Sequence, residues 1–346
     1  MGYEEGPYSG LPCGCGRELS SSLLTHTIHS IESSGPDGCR GQPLSWSMGV
    51  GIADVPVIEQ QQRKVSRRKF LVRAPLALAG GLALYSAEVA RHEISVETRE
   101  LALGGLPAAF AGFRIVQISD IHFDEYTEPW FLRRVVERIN ALRPDLVLLT
   151  GDYISMGPLP ARFARYALSR CAEILSGIEC PLRFAAMGNH DAFLGEDAIA
   201  HGLSAAGIPL LVDEHRRIER NGEHMWLAAT NDPVTNMPNL NATIPARPDA
   251  PVLLMCHGPD YVDTLLAHPR GRLVDAMFAG HTHGGQVRIP FLPPMHLPEG
   301  GQKYVEGAFR FGKLQLYVNR GIGAVGAPFR LNCPPEITVF TLREPY

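Results

Sequence analysis

Short apolar segments that end in polar residues recur along this chain from about residue 93 onward. LVLLT, FAAM, VLLM and MFAG are four of them. Continuous apolar runs of this length are typical of strands that are buried on both faces of a sheet. Stretches with helical spacing of apolar residues separate several of them, as in EPWFLRRVVERINAL and ARFARYALSRCAEILSGI. This alternation predicts an α/β fold with a mostly parallel first half and a β-rich second half.

The composition allows a large folded domain and argues against one class of partner. The chain has 346 residues, of which 45% are hydrophobic and 20% charged, so it can form a well-packed core. A formal net charge of −4, without a long basic run in the body, predicts no stable nucleic-acid partner. The seven cysteines fit neither a zinc ribbon nor a complete disulfide framework, so those in the body are expected to be small buried residues.

Residues 63–90, RKVSRRKFLVRAPLALAGGLALYSAEVA, have the pattern of a targeting segment. Basic residues precede an uncharged run from Ala74 to Ala87, which is short for a bilayer span of about 20 residues. The run suits the apolar region of a signal peptide instead. The hexapeptide SRRKFL, from Ser66 to Leu71, resembles the twin-arginine export signal. We therefore expect the twin-arginine machinery to export the protein to the periplasm or cell envelope.

These features divide the chain into three parts. Residues 1–47 show little periodicity and are predicted to be a disordered extension, or sequence upstream of a true start at Met48. Residues 48–92 form the signal, which is either cleaved after Ala87 or Ala90 or kept as a membrane anchor through residues 74–87. Residues 93–346 form one folded domain.

Five apolar strands end in residues that can bind a metal ion or a proton. These endings are Asp120-Ile121-His122, Gly151-Asp152, Asn189-His190-Asp191, Cys256-His257 and His281-Thr282-His283. Because sites in open α/β sheets lie beyond the carboxyl ends of strands, we expect the five endings to share one site. Two residues separated by one position point to the same side of an extended chain, so each such pair can enter one pocket.

The residue types at these endings predict a metal centre. Two aspartates, one asparagine and four histidines offer mixed oxygen and nitrogen ligands, which suit Mn, Fe, Zn or Co. The seven candidates are Asp120, His122, Asp152, Asn189, His257, His281 and His283. Seven ligands are too many for one ion, and they suit two ions about 3.5–4 Å apart with a carboxylate between them.

In this order, the motifs closely resemble those of the calcineurin-like metallophosphoesterases: Asp-x-His, Gly-Asp, Gly-Asn-His-Asp/Glu, a lone His and Gly-His-x-His. The resemblance covers residues from about 93 to 346, the predicted catalytic domain, and implies a double β-sandwich flanked by helices. GFRIVQISDIH and AGHTHGGQVRIP look most like the bacterial envelope phosphodiesterase branch, many of whose members carry twin-arginine signals.

The resemblance also implies a role for each motif residue. One ion would be held by Asp120, His122 and His283. The other would be held by Asn189, His257 and His281. Asp152 would bridge both ions. His190 would face the phosphate and the leaving group. Asp191 is expected to orient its neighbours by hydrogen bonding rather than to bind metal.

The charges of such a centre predict hydrolysis of a phosphoester, and the resemblance to the envelope branch implies a phosphodiester. Two cations polarise the phosphoryl oxygens and lower the pKa of a shared water, so that hydroxide forms near neutral pH and attacks phosphorus in line with the leaving oxygen. A protonated His190 would stabilise the charge that develops or give a proton to the leaving alkoxide.

Phosphoprotein phosphatases of the superfamily place an arginine after Gly-Asp, and GDYISMG has none. Three arginines could supply positive charge near the substrate, or they could be packing or surface residues: Arg288, Arg320 and Arg330.

Two alternatives stay open at this point. Some relatives cleave the pyrophosphate of UDP-2,3-diacylglucosamine, a lipid-linked cytoplasmic substrate, and an export signal argues against this activity. Other relatives have lost ligands and become non-catalytic metal-binding scaffolds. This sequence retains every motif residue, which favours an enzyme.

Overall fold

The computed structural model describes residues 66–123, 126–155 and 161–345. The predicted disordered extension, residues 1–47, lies outside this range. So does the part of the predicted signal that precedes Ser66.

The described chain folds into eleven strands and seven α-helices. The strands are β1 (Ser95–Ala102), β2 (Arg114–Ile118), β3 (Leu146–Leu149), β4 (Arg183–Ala185), β5 (Glu214–Arg220), β6 (Glu223–Ala229), β7 (Val252–Met255), β8 (Ala276–Ala279), β9 (Gly307–Phe311), β10 (Leu314–Val318) and β11 (Glu336–Arg343). The helices are α1 (Arg67–Leu84), α2 (Pro129–Leu142), α3 (Ala161–Leu175), α4 (Asn189–Leu194), α5 (Glu196–Ser204), α6 (Leu240–Thr243) and α7 (Val262–Ala267).

The strands form two mixed sheets. One has the order β1-β11-β2-β3-β4, in which β2, β3 and β4 are parallel and β11 runs antiparallel to β2. The other has the order β5-β6-β7-β8-β10-β9, with a parallel centre and antiparallel edge strands. The predicted α/β class is confirmed.

The two sheets share a buried apolar core. Ile115 and Leu148 of the first sheet belong to the same cluster as Leu227, Met255 and Phe278 of the second. The opposite face of the first sheet is covered by the apolar stripes of α2, α3 and α5, because alternate strand residues point to opposite faces. A double sandwich flanked by helices follows from this layering.

The structure differs from the sequence-based expectation at two strands. In sequence β11 belongs to the β-rich second half, but it lies in the first sheet between β1 and β2. It pairs along both edges, which matches its almost continuous burial. The apolar segment FAAM was predicted to be a strand that leads into Asn189, yet the strand is only Arg183–Ala185 and a helix begins at Asn189.

The N-terminal helix is longer than its uncharged run. Ser66 caps α1 by accepting a hydrogen bond from the Lys69 amide at 3.3 Å, and helical turns continue after Leu84 to His92. The resulting 26-residue segment is long and apolar enough to cross a membrane, a property that signal sequences share. Only 6% of its most apolar window is buried.

The end of this segment is attached to the domain at two points. The Ser86 hydroxyl donates to the Arg330 carbonyl at 2.8 Å, and the Arg330 amide donates to the Ser86 carbonyl at 3.1 Å. Arg91 forms an ion pair with Glu128, and His92 Nε2 lies 2.9 Å from the same carboxylate. These contacts fix how α1 leaves the domain.

Candidate metal centre

The loops that follow four parallel strands converge with the start of α4. The loops after β2, β3, β7 and β8 carry six of the seven predicted ligands, and all six are buried: Asp120, His122, Asp152, His257, His281 and His283. Asn189, the seventh, is the first residue of α4. The expectation that strand ends from distant parts of the sequence share one site agrees with this arrangement.

The backbone conformation of these loops differs from the extended one that the sequence pattern predicted. The Asp-x-His and His-x-His pairs were expected to converge because an extended chain points alternate side chains to one side. Instead Asp120, His122, His281 and His283 all have positive φ, between 45° and 72°. Left-handed backbone is uncommon for residues other than glycine, and it concentrates at functional sites. The pairs therefore converge through tight turns rather than through strand geometry.

Two motif glycines are required because there is no room for a side chain. A Cβ at Gly188 would lie 2.2 Å from Asp152 Oδ1, and one at Gly280 would lie 1.9 Å from Ser119 Oγ. Gly188 has φ −110°, which any residue can adopt, so close approach rather than backbone conformation explains this glycine.

Asp120, His122 and His283 form one group of candidate ligands. Their ligand atoms all lie within 4.8 Å of one another. Asp120 Oδ1 is 3.4 Å from His283 Nε2, which in turn is 3.0 Å from His122 Nε2. The group matches the set that the family resemblance implied for one ion.

A second group of candidate ligands consists of Asp152, His257 and His281, whose ligand atoms also lie within 4.8 Å of one another. Asp152 Oδ2 lies 3.2 Å from His257 Nε2 and 3.6 Å from His122 Nε2 of the first group. One carboxylate oxygen is thus close to both groups.

Backbone and hydroxyl groups orient the histidine rings from outside. His257 Nδ1 is 2.7 Å from the Thr150 carbonyl, and His281 Nε2 is 2.7 Å from the Glu299 carbonyl. A carbonyl only accepts, so these nitrogens carry hydrogen and the other ring nitrogen presents a lone pair inward. His122 Nδ1 contacts the Ser155 hydroxyl at 2.9 Å. Nothing in the sequence pattern singled out these partners, because two of them act through the backbone.

Burial keeps three of the rings in the neutral form that binds metal. It lowers the pKa of His122 and, with the charge of His257, that of His281. Burial and then the Arg330 guanidinium lower the pKa of His283 well below its usual value. Because ligating histidines must be deprotonated, these shifts favour cation binding near neutral pH.

The buried Asp152 carboxylate is stabilised by positive charge nearby. Burial would raise the pKa of Asp152, but the charge and hydrogen-bonding capacity of His257 outweigh it and hold the pKa well below its usual range. Burial would likewise lower the pKa of His257, and the Asp152 carboxylate raises it well above its usual value. One buried atom, Asn189 Oδ1, has no hydrogen-bond partner among the described residues. Lone pairs and carboxylates that face one another in this way fit divalent cations.

Asp191 supports the centre from behind. Its Oδ2 accepts hydrogen bonds from the amides of Asp152 at 2.7 Å and Gly188 at 3.0 Å, and its Oδ1 accepts from the Tyr153 amide at 3.0 Å. Burial and the nearby Asp152 charge raise the pKa of Asp191, while the amides favour its ionised form. The side chain therefore ties the loop after β3 to the start of α4.

His190 lies at the edge of the two groups. It contributes to the lining of the cavity above the ligands, and its ring meets that of His122 edge-on with centroids 4.9 Å apart. Its amide donates to Asp152 Oδ1 at 2.9 Å, which fixes the backbone at this point.

The three arginines that were candidates for substrate contact have protein partners. Arg288 pairs with Glu306, and Arg320 pairs with Glu97 and Glu336. Arg330 is fully buried, and its guanidinium donates to backbone carbonyls that include those of Cys333 and Arg320. These contacts correspond to the packing alternative, and the site proposed below is built without the arginines.

Buried histidine and carboxylate ligands around a shared aspartate, at the strand ends of a layered α/β fold, define a metal-dependent hydrolase. The family model described as calcineurin-like phosphoesterase matches residues 113–285, a range that contains all seven candidate ligands. The chain belongs to this family, whose members use a divalent metal centre, and it is a metal-dependent phosphoester hydrolase.

Three curated relatives illustrate the similarity. The metallophosphoesterase YkuE of Bacillus subtilis (strain 168) is 31% identical over 82% of this chain and 99% of its own length. Phosphodiesterase YaeI of Escherichia coli (strain K12) is 28% identical over 80% of this chain and 99% of its own. The UDP-2,3-diacylglucosamine pyrophosphatase LpxG of Chlamydia muridarum is 26% identical over 69% of this chain and 88% of its own.

The Asp191 network predicts a measurable loss when one acceptor is removed. Asp191→Asn replaces an acceptor oxygen by an amide NH₂ group that faces a backbone N–H, which costs about 1–3 kcal/mol of unfolding free energy. We expect lower thermal stability and weaker metal affinity, measured by thermal unfolding and by metal titration. The matched change Asp197→Asn, at an exposed position of α5, should alter neither. Equal behaviour of the two variants would contradict a supporting role for Asp191.

Proposed function

We propose that the protein is a two-metal phosphodiesterase. The observation that carries this proposal is the position of Asp152 Oδ2, which lies 3.2 Å from a histidine of one ligand group and 3.6 Å from a histidine of the other. An oxygen between two groups of ligands suits a carboxylate that is shared by two ions. The mixed nitrogen and oxygen ligands favour Mn, Fe, Zn or Co.

The ligands divide into two sets around this shared aspartate. Asp120, His122 and His283 would hold one ion, and Asn189, His257 and His281 the other. When bound, the ions supply positive charge to the phosphoryl oxygens and lower the pKa of coordinated water. Asn189 is included because its buried Oδ1 has no other partner among the described residues.

The reaction consumes one water for each diester. A hydroxide oxygen forms a new bond to phosphorus while the bond to the leaving oxygen breaks, and the products are a phosphomonoester and an alcohol. His190 lies at the cavity lining beside the ligand groups, where it can give a proton to the leaving oxygen. The Asp152 carboxylate holds the His190 amide, so the metal centre and this histidine are positioned together.

The proposed class of substrate is a diester rather than a phosphoprotein. No arginine follows Gly-Asp in the sequence GDYISMG, and the three later arginines are engaged by protein groups. The Escherichia coli relative is named a phosphodiesterase, which supports this choice. The similarity to LpxG supports a second candidate, cleavage of a nucleoside diphosphate-linked lipid at its pyrophosphate.

Variants of Asp152 and His190 test the proposed mechanism. On an alkyl diester such as a glycerophosphodiester, with added Mn²⁺, His190→Ala should lower kcat by about 10²–10⁴-fold, because the alkoxide needs a proton to leave. On bis-p-nitrophenyl phosphate the loss should be much smaller, since p-nitrophenolate leaves without one. Asp152→Asn should abolish both activities.

The controls for this experiment are two conservative surface changes on α5. His201→Ala and Asp197→Asn replace the same residue types at exposed positions, and both should retain wild-type rates. Equal rates for wild type, Asp152→Asn and His190→Ala would end the enzymatic mechanism proposed for these residues.

We further propose that the catalytic domain lies on the exported side of a membrane, where the twin-arginine machinery delivers it. The basic residues of α1, Arg67, Arg68, Lys69 and Arg73, all lie in its first half, and the domain follows its other end. Positive charge favours the cytoplasmic side of a membrane helix, so this charge distribution supports export of the domain. A cytoplasmic lipid pyrophosphatase would need the opposite orientation.

Replacing the twin arginines tests this orientation. Protease is added to spheroplasts, in which the outer face of the cytoplasmic membrane is accessible and the cytoplasm is not. The wild-type catalytic domain should then be digested. The double variant Arg67→Lys/Arg68→Lys keeps the charge but removes the export motif, so its domain should stay protected. Arg73→Lys, a matched change outside the motif, should behave like wild type. Protection of the wild-type domain would contradict export and favour the pyrophosphatase alternative.

A further inference from the structure

A cavity of about 790 Å³ opens above the candidate ligands and has two kinds of wall. Polar residues of the metal centre, including Asp152, Asn189 and His190, contribute to one part of it. Apolar side chains form much of the rest: Val287, Met295, Val325, Phe329 and Leu331. A volume of this size holds a small-molecule ligand, and the lining suits one with a phosphate at one end and an apolar body.

The N-terminal helix forms part of the apolar wall. Ala79, Leu82, Ala83 and Ser86 line the same cavity, and their spacing of three, four and seven residues places them on one face of the helical segment. Leu82 remains 47% exposed, so it faces the cavity without being packed into the domain core. The hydrogen bonds between Ser86 and Arg330 hold this face in position.

The other faces of α1 suit a lipid bilayer. None of its residues is buried, and its side chains from Ala74 to Leu84 are uncharged. The longer helical segment that begins with α1, Arg67–His92, contains an 18-residue window apolar enough to cross a membrane, which corresponds to about 27 Å of helix. Ala79 and Ala83 lie in the half of α1 next to the domain. With α1 in a membrane, the cavity would be adjacent to the membrane surface.

A second apolar segment contributes to the cavity wall through Met295. Met295 lines the cavity and is 72% exposed, and the residues before it include Phe291, whose side chain is fully exposed, and Leu292. Exposed apolar side chains that cluster in this way typically contact a membrane or a ligand. Met295 and the α1 residues thus give the cavity wall groups that prefer lipid to water.

We propose that α1 is retained in the working enzyme as a wall of its substrate site, and that the cavity takes the hydrocarbon tail of a phosphodiester lipid from the bilayer. The phosphate would then lie at the metal centre and the tail between α1 and the segment around Met295. This inference rests on the proposed phosphodiesterase function and names its substrate class. Cleavage after Ala87 or Ala90 would remove the wall, so the signal acts as an anchor.

A series of substrates that differ only in tail length tests the inference. The full chain in bilayer nanodiscs is assayed with ethyl, butyl, hexyl and octyl p-nitrophenyl phosphates, which share one scissile bond and one leaving group. Burial of the added methylenes should raise kcat/KM by at least about tenfold from the ethyl to the octyl ester. Ala79→Phe and Ala83→Phe, which place bulk in the cavity, should each reduce this octyl-to-ethyl ratio to near one.

The matched control is Ala77→Phe, the same substitution at an exposed position of α1 that does not line the cavity. It should keep the wild-type ratio. The lipid-tail site would be overturned if the wild-type enzyme hydrolysed the ethyl ester and kcat/KM did not rise with tail length. An equal octyl-to-ethyl ratio of kcat/KM in all three variants would also overturn it. Either result would leave the proposed phosphodiesterase function intact. Intact mass spectrometry of the native protein showing loss of Ala79 would overturn retention of the helix. No hydrolysis of any ester would reject the proposed function and this inference with it.

Discussion

The mutual repulsion of buried ligand atoms is the constraint on which the rest of this structure depends. Carboxylates and histidine lone pairs from loops as far apart in sequence as Asp120 and His283 meet within a few ångströms, and their side chains are buried. Such an arrangement is unfavourable unless cations occupy the space between the groups. The sheets, the left-handed turns and the hydrogen bonds of Asp191 hold the ligands against this repulsion.

The sequence predicted much of the fold and the ligand set for a simple physical reason. Apolar runs that end in Asp, His or Asn mark both a buried strand and the residues beyond its carboxyl end, so one pattern locates structure and site together. The sequence did not place β11, because strand periodicity does not specify which sheet a strand joins. The turns at His122 and His281 were missed because positive φ leaves no signature at residues other than glycine.

The outer partners and the N-terminal helix lay beyond sequence reasoning for a different reason. Thr150 and Glu299 act through backbone carbonyls, which carry no information about residue type. Arg330 looked like a substrate contact because arginines near phosphates usually are, yet its burial among carbonyls gives it a structural role beside His283. The contact between α1 and the cavity depends on tertiary packing, so an apolar run alone indicates only a signal or an anchor.

Metal content tests the two-ion centre most directly. Purified wild-type protein is saturated with Mn²⁺, dialysed against metal-free buffer and analysed by inductively coupled plasma mass spectrometry alongside Asp152→Ala. A shared aspartate predicts two ions per wild-type chain and loss of tightly bound metal from both sites in the variant. One ion or none per wild-type chain, or an unchanged stoichiometry in Asp152→Ala, would contradict a centre built around Asp152.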